Sequence, residues 1–216
     1  AAIQSTMLEA ELFGYEAGRV IESFIKFNCT TYDRIISHFH EWMTGTGILY
    51  LKDRLPQVGT VFTSHATVMG RSLAGNNRPL YKNLKAYNPE DFAREFNIIS
   101  KQSAEKLSAQ QADAFTTVSD ITAEECLQFL QKDVDMVTPN GFEDTFVPAG
   151  EKFEQRRKEG RAKLLEVAET MFGEKYGDEA FMIANSGRYE FRNKGIDLFI
   201  DALGELNKNG LKKQVL

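Results

Sequence analysis

All three histidines of the sequence fall at the ends of predicted β-strands. His38 and His40 end one such strand, and His65 directly follows the next. Ligands of open parallel sheets bind outside the carboxyl ends of the strands. His65 is therefore a candidate catalytic residue, and Arg71, which follows a possible helix start at Thr67, could present a guanidinium to the same pocket. The alternative is that His65 satisfies a buried backbone group.

The two earlier histidines flank Phe39. We expect them to point to opposite sides of the strand, so that at most one of them faces the ligand crevice. A structural role, in packing with Glu41 and Trp42, is the stronger expectation for both.

A second group of candidates lies between a predicted strand and a predicted helix near the end of the sequence. Residues 186–195 read SGRYEFRNKG and include Arg188, Arg192 and Lys194. Cations at the amino end of a helix can hold a diphosphate, because the helix dipole and free backbone N–H groups add to the attraction. An exposed loop without a ligand is the alternative.

The pair Asn140-Gly141 could shape the wall of a cleft, because glycine permits close backbone approach and the amide both donates and accepts. An ordinary turn is the commoner role of such a pair. The sequence contains no GxxxxGK[ST] loop, GxGxxG fingerprint, GxSxG elbow or HExxH motif. Neither a P-loop nucleoside triphosphatase nor a nicotinamide dehydrogenase is therefore supported.

The elements that would position these residues alternate between long helical patterns and short β-rich runs. This alternation predicts an α/β fold with a parallel sheet. The predicted strands cover residues 33–38, 57–64, 112–118, 134–138 and 179–186. Predicted helices cover 5–27, 42–53, 119–131, 161–175 and 194–206. A further helix should start at Pro89 and bury Phe92, Phe96, Ile99 and Leu107, while 71–87 should be irregular.

The composition changes after the fourth predicted strand. Pro139-Asn140-Gly141 is a turn signature, and the charged stretch that follows is interrupted by Pro148 and Gly150. We therefore predict a first domain over 1–140, a hinge over 141–150 and a second domain over 151–216.

Composition and charge exclude several classes of protein. The chain has 216 residues and a formal net charge of -5, which disfavours broad nucleic-acid contact because phosphate binding needs clustered cations. No apolar run approaches the roughly 20 residues of a membrane span, and the first residues do not resemble a secretory signal. The two distant cysteines argue against a disulfide framework or a zinc site. We expect a cytoplasmic protein with no cofactor or metal and neither membrane nor nucleic acid as a partner.

Five strings can then be considered together. They are HFHEW at 38–42, VFTSHATVMGR at 61–71, FTTVSDITAEE at 115–125, TPNG at 138–141 and SGRYEFRNKGIDLFIDAL at 186–203. In this order and at similar spacing they resemble the eukaryotic-type glycogen synthases of glycosyltransferase family three. The resemblance covers nearly the whole chain, and TSHATVMGR and GRYEFRNKG are its most specific parts. It implies a GT-B architecture, in which two Rossmann-like parallel-sheet domains face a cleft.

The resemblance also implies an activity and site residues. Family members transfer glucose from UDP-glucose to the non-reducing end of an α-1,4-glucan, with retention and without a metal. At matching positions, His65, Arg71 and Asn140 would be catalytic residues of the cleft, and Arg188 and Lys194 would bind UDP-glucose. Fixed cations suit this chemistry, because the departing UDP gains negative charge in the transition state.

Two features of the family are missing from this sequence. They are a glycine-rich loop near the amino terminus and a pair of glutamates spaced eight apart. The chain therefore resembles a central piece of the enzyme, and we expect it not to synthesise glucan alone. The alternatives are a non-catalytic nucleotide-sugar or glycan-binding module on the same fold, and an oligomerisation piece. Because a truncated parallel sheet leaves strand edges unpaired, we also expect a homo-oligomer.

Overall fold

A computed structural model describes residues 2–177, 179–210 and 213–216, and for residues 2–8 it describes only the backbone. The chain forms two compact units, Ala1–Asn140 and Gly141–Leu216, and each is described separately below. None of the described helices is both long enough and apolar enough to cross a membrane.

The first unit is an α/β structure built on four strands. The strands are β1 (Ile36–His40), β2 (Gly59–Ser64), β3 (Ala114–Thr117) and β4 (Met136–Val137). The helices are α1 (Ala2–Asn28), α2 (Glu41–Arg54), α3 (Val68–Gly75), α4 (Pro89–Glu95), α5 (Ile99–Gln111) and α6 (Asp120–Leu130), with a 3₁₀ helix at Tyr81–Ala86. The strands are all parallel and lie in the order β1-β2-β3-β4, which confirms the predicted fold class.

The core of this unit lies between the sheet and its helices. Phe39, Phe62 and Phe115 occupy adjacent strands in register, and the rings of Phe62 and Phe115 stack with centroids 5.8 Å apart. Ile48 and Leu51 of α2 are fully buried in the same cluster. Burial of large apolar side chains on neighbouring strands is what fixes the register of a parallel sheet.

The first strand differs from its predicted position. It covers 36–40 rather than 33–38, so that His38 and His40 both lie inside it. Their side chains share one face, because strand residues two apart point the same way, and their ring centroids are 4.2 Å apart. The expectation that they point to opposite sides was therefore wrong.

The helix predicted from Pro89 onward is two helices. Asn97, between α4 and α5, adopts a left-handed backbone conformation with φ 55°, which interrupts the predicted helix. Ile99 and Leu107 are 52% and 45% exposed, so the predicted buried stripe was wrong for α5. A Cβ atom on Gly45 would lie 2.1 Å from Ser108 Oγ. Because α2 approaches α5 this closely, small and polar side chains occupy the buried face of α5.

The second unit contains a 3₁₀ helix (Asp144–Phe146), α7 (Glu151–Phe172) and α8 (Ile196–Lys208). Helix α7 begins ten residues earlier than predicted, because acidic residues in its first turn and long straight-chain residues favour helix despite Gly160. The strand predicted over 179–186 is reduced to one parallel bridge between Phe181 and Val215.

Candidate functional site

The carboxyl ends of the four strands lie along one edge of the sheet, where helices α3 and α6 begin. The Thr67 hydroxyl accepts a hydrogen bond from Gly70 N–H at 2.9 Å and caps α3. Ser119 caps α6 in the same way through Thr122 N–H. Side chains at this edge therefore face helix amino ends, which is the usual position of a ligand in an open parallel sheet.

The three histidines form a cluster at this edge. His40 Nδ1 and His65 Nε2 lie 3.1 Å apart, and His38 Nε2 lies 2.7 Å from Thr63 Oγ1. Burial of the ring, with smaller contributions from the His38 and His65 imidazoles, lowers the pKa of His40. A neutral His40 offers one donor and one acceptor nitrogen, so it can orient the His65 ring through a single hydrogen bond.

Glu41 joins His65 to Arg71. One oxygen of its carboxylate, Oε1, accepts the backbone N–H of His65 at 3.1 Å and pairs with Arg71 Nη2 at 3.6 Å. Glu41 is the first residue of α2 and has a left-handed φ of 65°, a strained conformation for a residue other than glycine. The structure thus brings His65 and Arg71 together, and the Arg71 side chain remains 50% exposed.

Two buried carboxyl groups hold the segment between β2 and α3 from behind. Glu125 accepts hydrogen bonds from Thr67 Oγ1 and Tyr81 OH, both at 2.8 Å. Burial, together with the Glu125 carboxylate, raises the pKa of Tyr81 to about 12. A Cβ atom on Gly70 would lie 2.1 Å from Glu125 Oε2, so α3 approaches this carboxylate closely.

Glu105 is the second of these carboxyl groups. It is fully buried and accepts hydrogen bonds from Ser64 Oγ at 3.1 Å and from Val68 N–H at 2.9 Å. The two carboxyls therefore hold both ends of the segment that carries His65.

Asn140 lies three residues after β4 and is exposed at the end of the first unit. Just before it, Thr138 N–H donates to Thr117 O at 2.7 Å and keeps the chain along the same sheet edge. Within the part of the chain that the structure describes, no hydrogen bond or ion pair joins Asn140 to His65 or Arg71. Its place in the site remains a prediction.

The three candidate cations of the second unit, Arg188, Arg192 and Lys194, belong to one compact loop before α8. Arg188 Nη2 pairs with Glu190 Oε1 at 3.0 Å, and Lys194 N–H donates to Glu190 O at 2.9 Å. Gly195, with φ 65°, then forms the amino cap of α8. Glu190 thus holds Arg188 and Lys194 in the loop that leads into α8, where the helix dipole favours an anion.

A sequence model of the family described as glycogen synthase matches residues 4–215. The chain belongs to the glycogen synthase family. It is 34% identical over 204 residues to the glycogen [starch] synthase of Dictyostelium discoideum, covering 93% of this chain and 23% of the relative. It is 35% identical over 206 residues to the glycogen [starch] synthase of Neurospora crassa, and this alignment covers 92% of this chain and 28% of the relative. It is also 35% identical over 179 residues to the liver glycogen [starch] synthase of Rattus norvegicus, and this alignment covers 80% of this chain and 25% of the relative. The chain spans about a quarter of the length of these relatives.

The sequence did not reveal the role of three carboxylates around the His65 segment of this glycogen synthase family member, although Glu41 was expected to pack with the other two histidines. Glu41 lies in the string HFHEW and Glu125 in FTTVSDITAEE, but the functional interpretation of these strings rested on their histidines and hydroxyl groups. Glu105 lies in no such string. Its only local signal is its helical spacing from the buried Gln102 and Ala109, which places it on an inward face.

Proposed function

We propose that this chain is part of a retaining glucosyltransferase that transfers glucose from UDP-glucose to the non-reducing end of an α-1,4-glucan. The observation that carries the proposal is membership of the glycogen synthase family over 4–215. The clustering of His65, Arg71 and Glu41 at the carboxyl edge of the sheet supports it.

In the proposed site, the first unit acts on the donor sugar. His65 lies beside the donor glucose, with its ring oriented by His40. Arg71 supplies a cation whose direction is set by Glu41, and Asn140 lines the cleft near the hinge. A side chain that its neighbours already hold in place needs little reorganisation when the reaction occurs.

The second unit holds the leaving group. Arg188 binds the diphosphate with its forked guanidinium, and Lys194 adds a point charge. The acceptor hydroxyl forms the new bond to C1 of glucose as the bond from C1 to the phosphate oxygen breaks. The hydroxyl proton passes to the departing phosphate on the same face, so this chain need not supply a separate base. Both cations stabilise the charge that UDP gains.

We further propose a GT-B arrangement with the domain limits 1–140 and 151–216 joined by a hinge at 141–150. The division into compact units after Asn140 supports it. Location in the cytoplasm is supported by the two free cysteines, Cys29 and Cys126, which fit a reducing compartment.

The test is an assay of the protein that carries this chain, incubated with UDP-glucose and glycogen. We expect UDP release that depends on glycogen and is lost in His65→Ala and in Arg71→Ala. Arg78→Ala is the matched control for Arg71→Ala, because Arg78 is a half-exposed arginine of the same unit that pairs with Glu95 rather than with Glu41. Binding of UDP-glucose without any transfer would overturn the proposal in favour of a binding module.

A further inference from the structure

Glu105 occupies an unusual place for an ionisable group. Its carboxyl is fully buried, and its two oxygens reach the two ends of one short turn. Ser64, which donates to Oε1, is the last residue of β2, and Val68, which donates to Oε2, is the first residue of α3. The turn between them consists of His65, Ala66 and Thr67.

A single side chain therefore ties the end of a strand to the start of a helix. We propose that Glu105 is a positioning residue for the candidate site, whose carboxyl fixes the turn that carries His65 and the helix that carries Arg71. The proposal deepens the proposed glucosyltransferase function and rests on it for its catalytic meaning. The geometric part can be tested without any assay of transfer.

The charged and titratable groups around Glu105 come from three elements. Burial of the carboxyl raises its pKa to about 8, although the hydrogen bonds from Val68 N–H and Ser64 Oγ lower it. The Glu41 carboxylate of α2 adds to the rise, and the Arg71 guanidinium of α3 opposes it. Cys126 of α6 is also close enough for the Glu105 charge to help raise its own pKa to about 12. The charges of both Glu41 and Arg71 therefore affect the pKa of Glu105.

Its two contacts respond differently to a proton. The Ser64 hydroxyl can donate to a carboxylate or accept from a protonated carboxyl, so this contact survives either state. The Val68 N–H can only donate, and its bond strengthens when the acceptor becomes charged. Ionisation of Glu105 should therefore pull the start of α3 inward and shift the turn, including His65.

The test follows the backbone amides of Val68 and His65 by two-dimensional ¹H–¹⁵N NMR while the pH is raised from 6 to 10. We expect both amides to shift with a common midpoint near pH 8. Glu105→Gln, which keeps the shape and removes the titration, should abolish this midpoint at both positions. Glu125→Gln is the matched control, since that buried carboxylate bonds Thr67 and Tyr81 instead, and the midpoint should remain.

A midpoint at Val68 with no response at His65 would overturn the proposal, as would its persistence in Glu105→Gln. If that variant does not fold, Ser64→Ala serves, because the hydrogen bond from the Ser64 hydroxyl lowers the pKa of Glu105. The common midpoint should then move to higher pH at both Val68 and His65, and a midpoint that stays unchanged at either amide would again overturn the proposal. In a protein shown to transfer glucose, Glu105→Gln should lower kcat by up to about 10²-fold, the cost of a misplacement of about 1 Å.

Discussion

The Arg188 guanidinium is 70% exposed and its partner Glu190 is 35% exposed. Exposed ion pairs contribute only about 0–1 kcal/mol, so a diphosphate can replace Glu190 at little cost. We predict that Arg188→Ala weakens UDP binding about ten- to a hundredfold, because a charge-assisted contact is worth about 1.5–3 kcal/mol. Arg188→Lys should also weaken it, since an ammonium cannot make the forked contact.

Isothermal titration with UDP measures this effect. Arg157→Ala is the matched control, because Arg157 is equally exposed at 70% and pairs with Glu154 on α7. Equal losses of UDP affinity in Arg188→Ala and Arg157→Ala would contradict the prediction, because they would mean that UDP binding depends only on the net charge of the protein.

The raised pKa of Glu105 also makes a prediction about stability. The unfolded chain releases this proton near the ordinary value of 4.5, whereas the folded chain holds it until about pH 8. Between these values the folded state binds more protons, so the free energy of unfolding falls as the pH rises. We predict that Glu105→Gln gains stability relative to the unmodified chain between pH 5 and pH 9. Urea unfolding at both pH values measures it, and a difference independent of pH would contradict it.

The residues that local rules identify are those whose role depends on near neighbours. Helices were predicted to start at Pro89 and at Ser119; α4 begins at Pro89, and Ser119 is the capping residue of α6. The roles of Glu41, Glu105 and Glu125 at the site were not predicted, because each carboxylate acts on a segment at least 24 residues away. Their importance depends on the packing of α2, α5 and α6, which no local pattern encodes.

At the scale of elements, the amino cap of α3 connects the site to the core. Thr67 accepts from Gly70 N–H and donates to the buried Glu125, whereas Asn88 caps α4 at an exposed position. We predict that Asn88→Ala costs about 1 kcal/mol, the usual value for a cap. Thr67→Ala should cost about 1–3 kcal/mol more, because a buried carboxylate loses its donor. Equal losses in urea unfolding would show that Glu125 finds another partner.

The elements themselves were predictable where hydrophobic periodicity reflects burial. Helices α1, α2 and α6 and strand β2 lie close to their predicted limits. Helix α5 was misread, because its buried face consists of polar and small residues that periodicity treats as exposed. Strand β4 has only two residues, since pairing with β3 rather than its own sequence sets its length.

At the scale of the whole molecule, strand β1 lies at one edge of the sheet, and Ile36 on it is 72% exposed. An unpaired strand edge can pair with another chain. We propose that the chain forms homo-oligomers, and we predict a mass in light scattering that rises with concentration. Ile36→Lys should lower that mass, because charge on an edge strand opposes pairing, and a monodisperse monomer would contradict the proposal.

The two units differ in how much apolar surface they bury. Among the described residues of the second unit, the buried apolar side chains are Leu165, Ala168 and Ala180, and α8 buries none. Apolar burial is the main source of stability, so the second unit should unfold at a lower urea concentration than the first.

The single tryptophan allows the two events to be separated. Trp42 lies on α2 in the first unit, with Lys101 Nζ of α5 5.3 Å from its ring centroid, so its fluorescence reports that unit. We predict that circular dichroism loses the helical signal of α7 and α8 before Trp42 fluorescence changes. Leu165→Ala should move only the first transition and Phe39→Ala only the second, since each removes core packing from one unit. Coincident transitions that both variants move together would show instead that the chain unfolds as one cooperative structure.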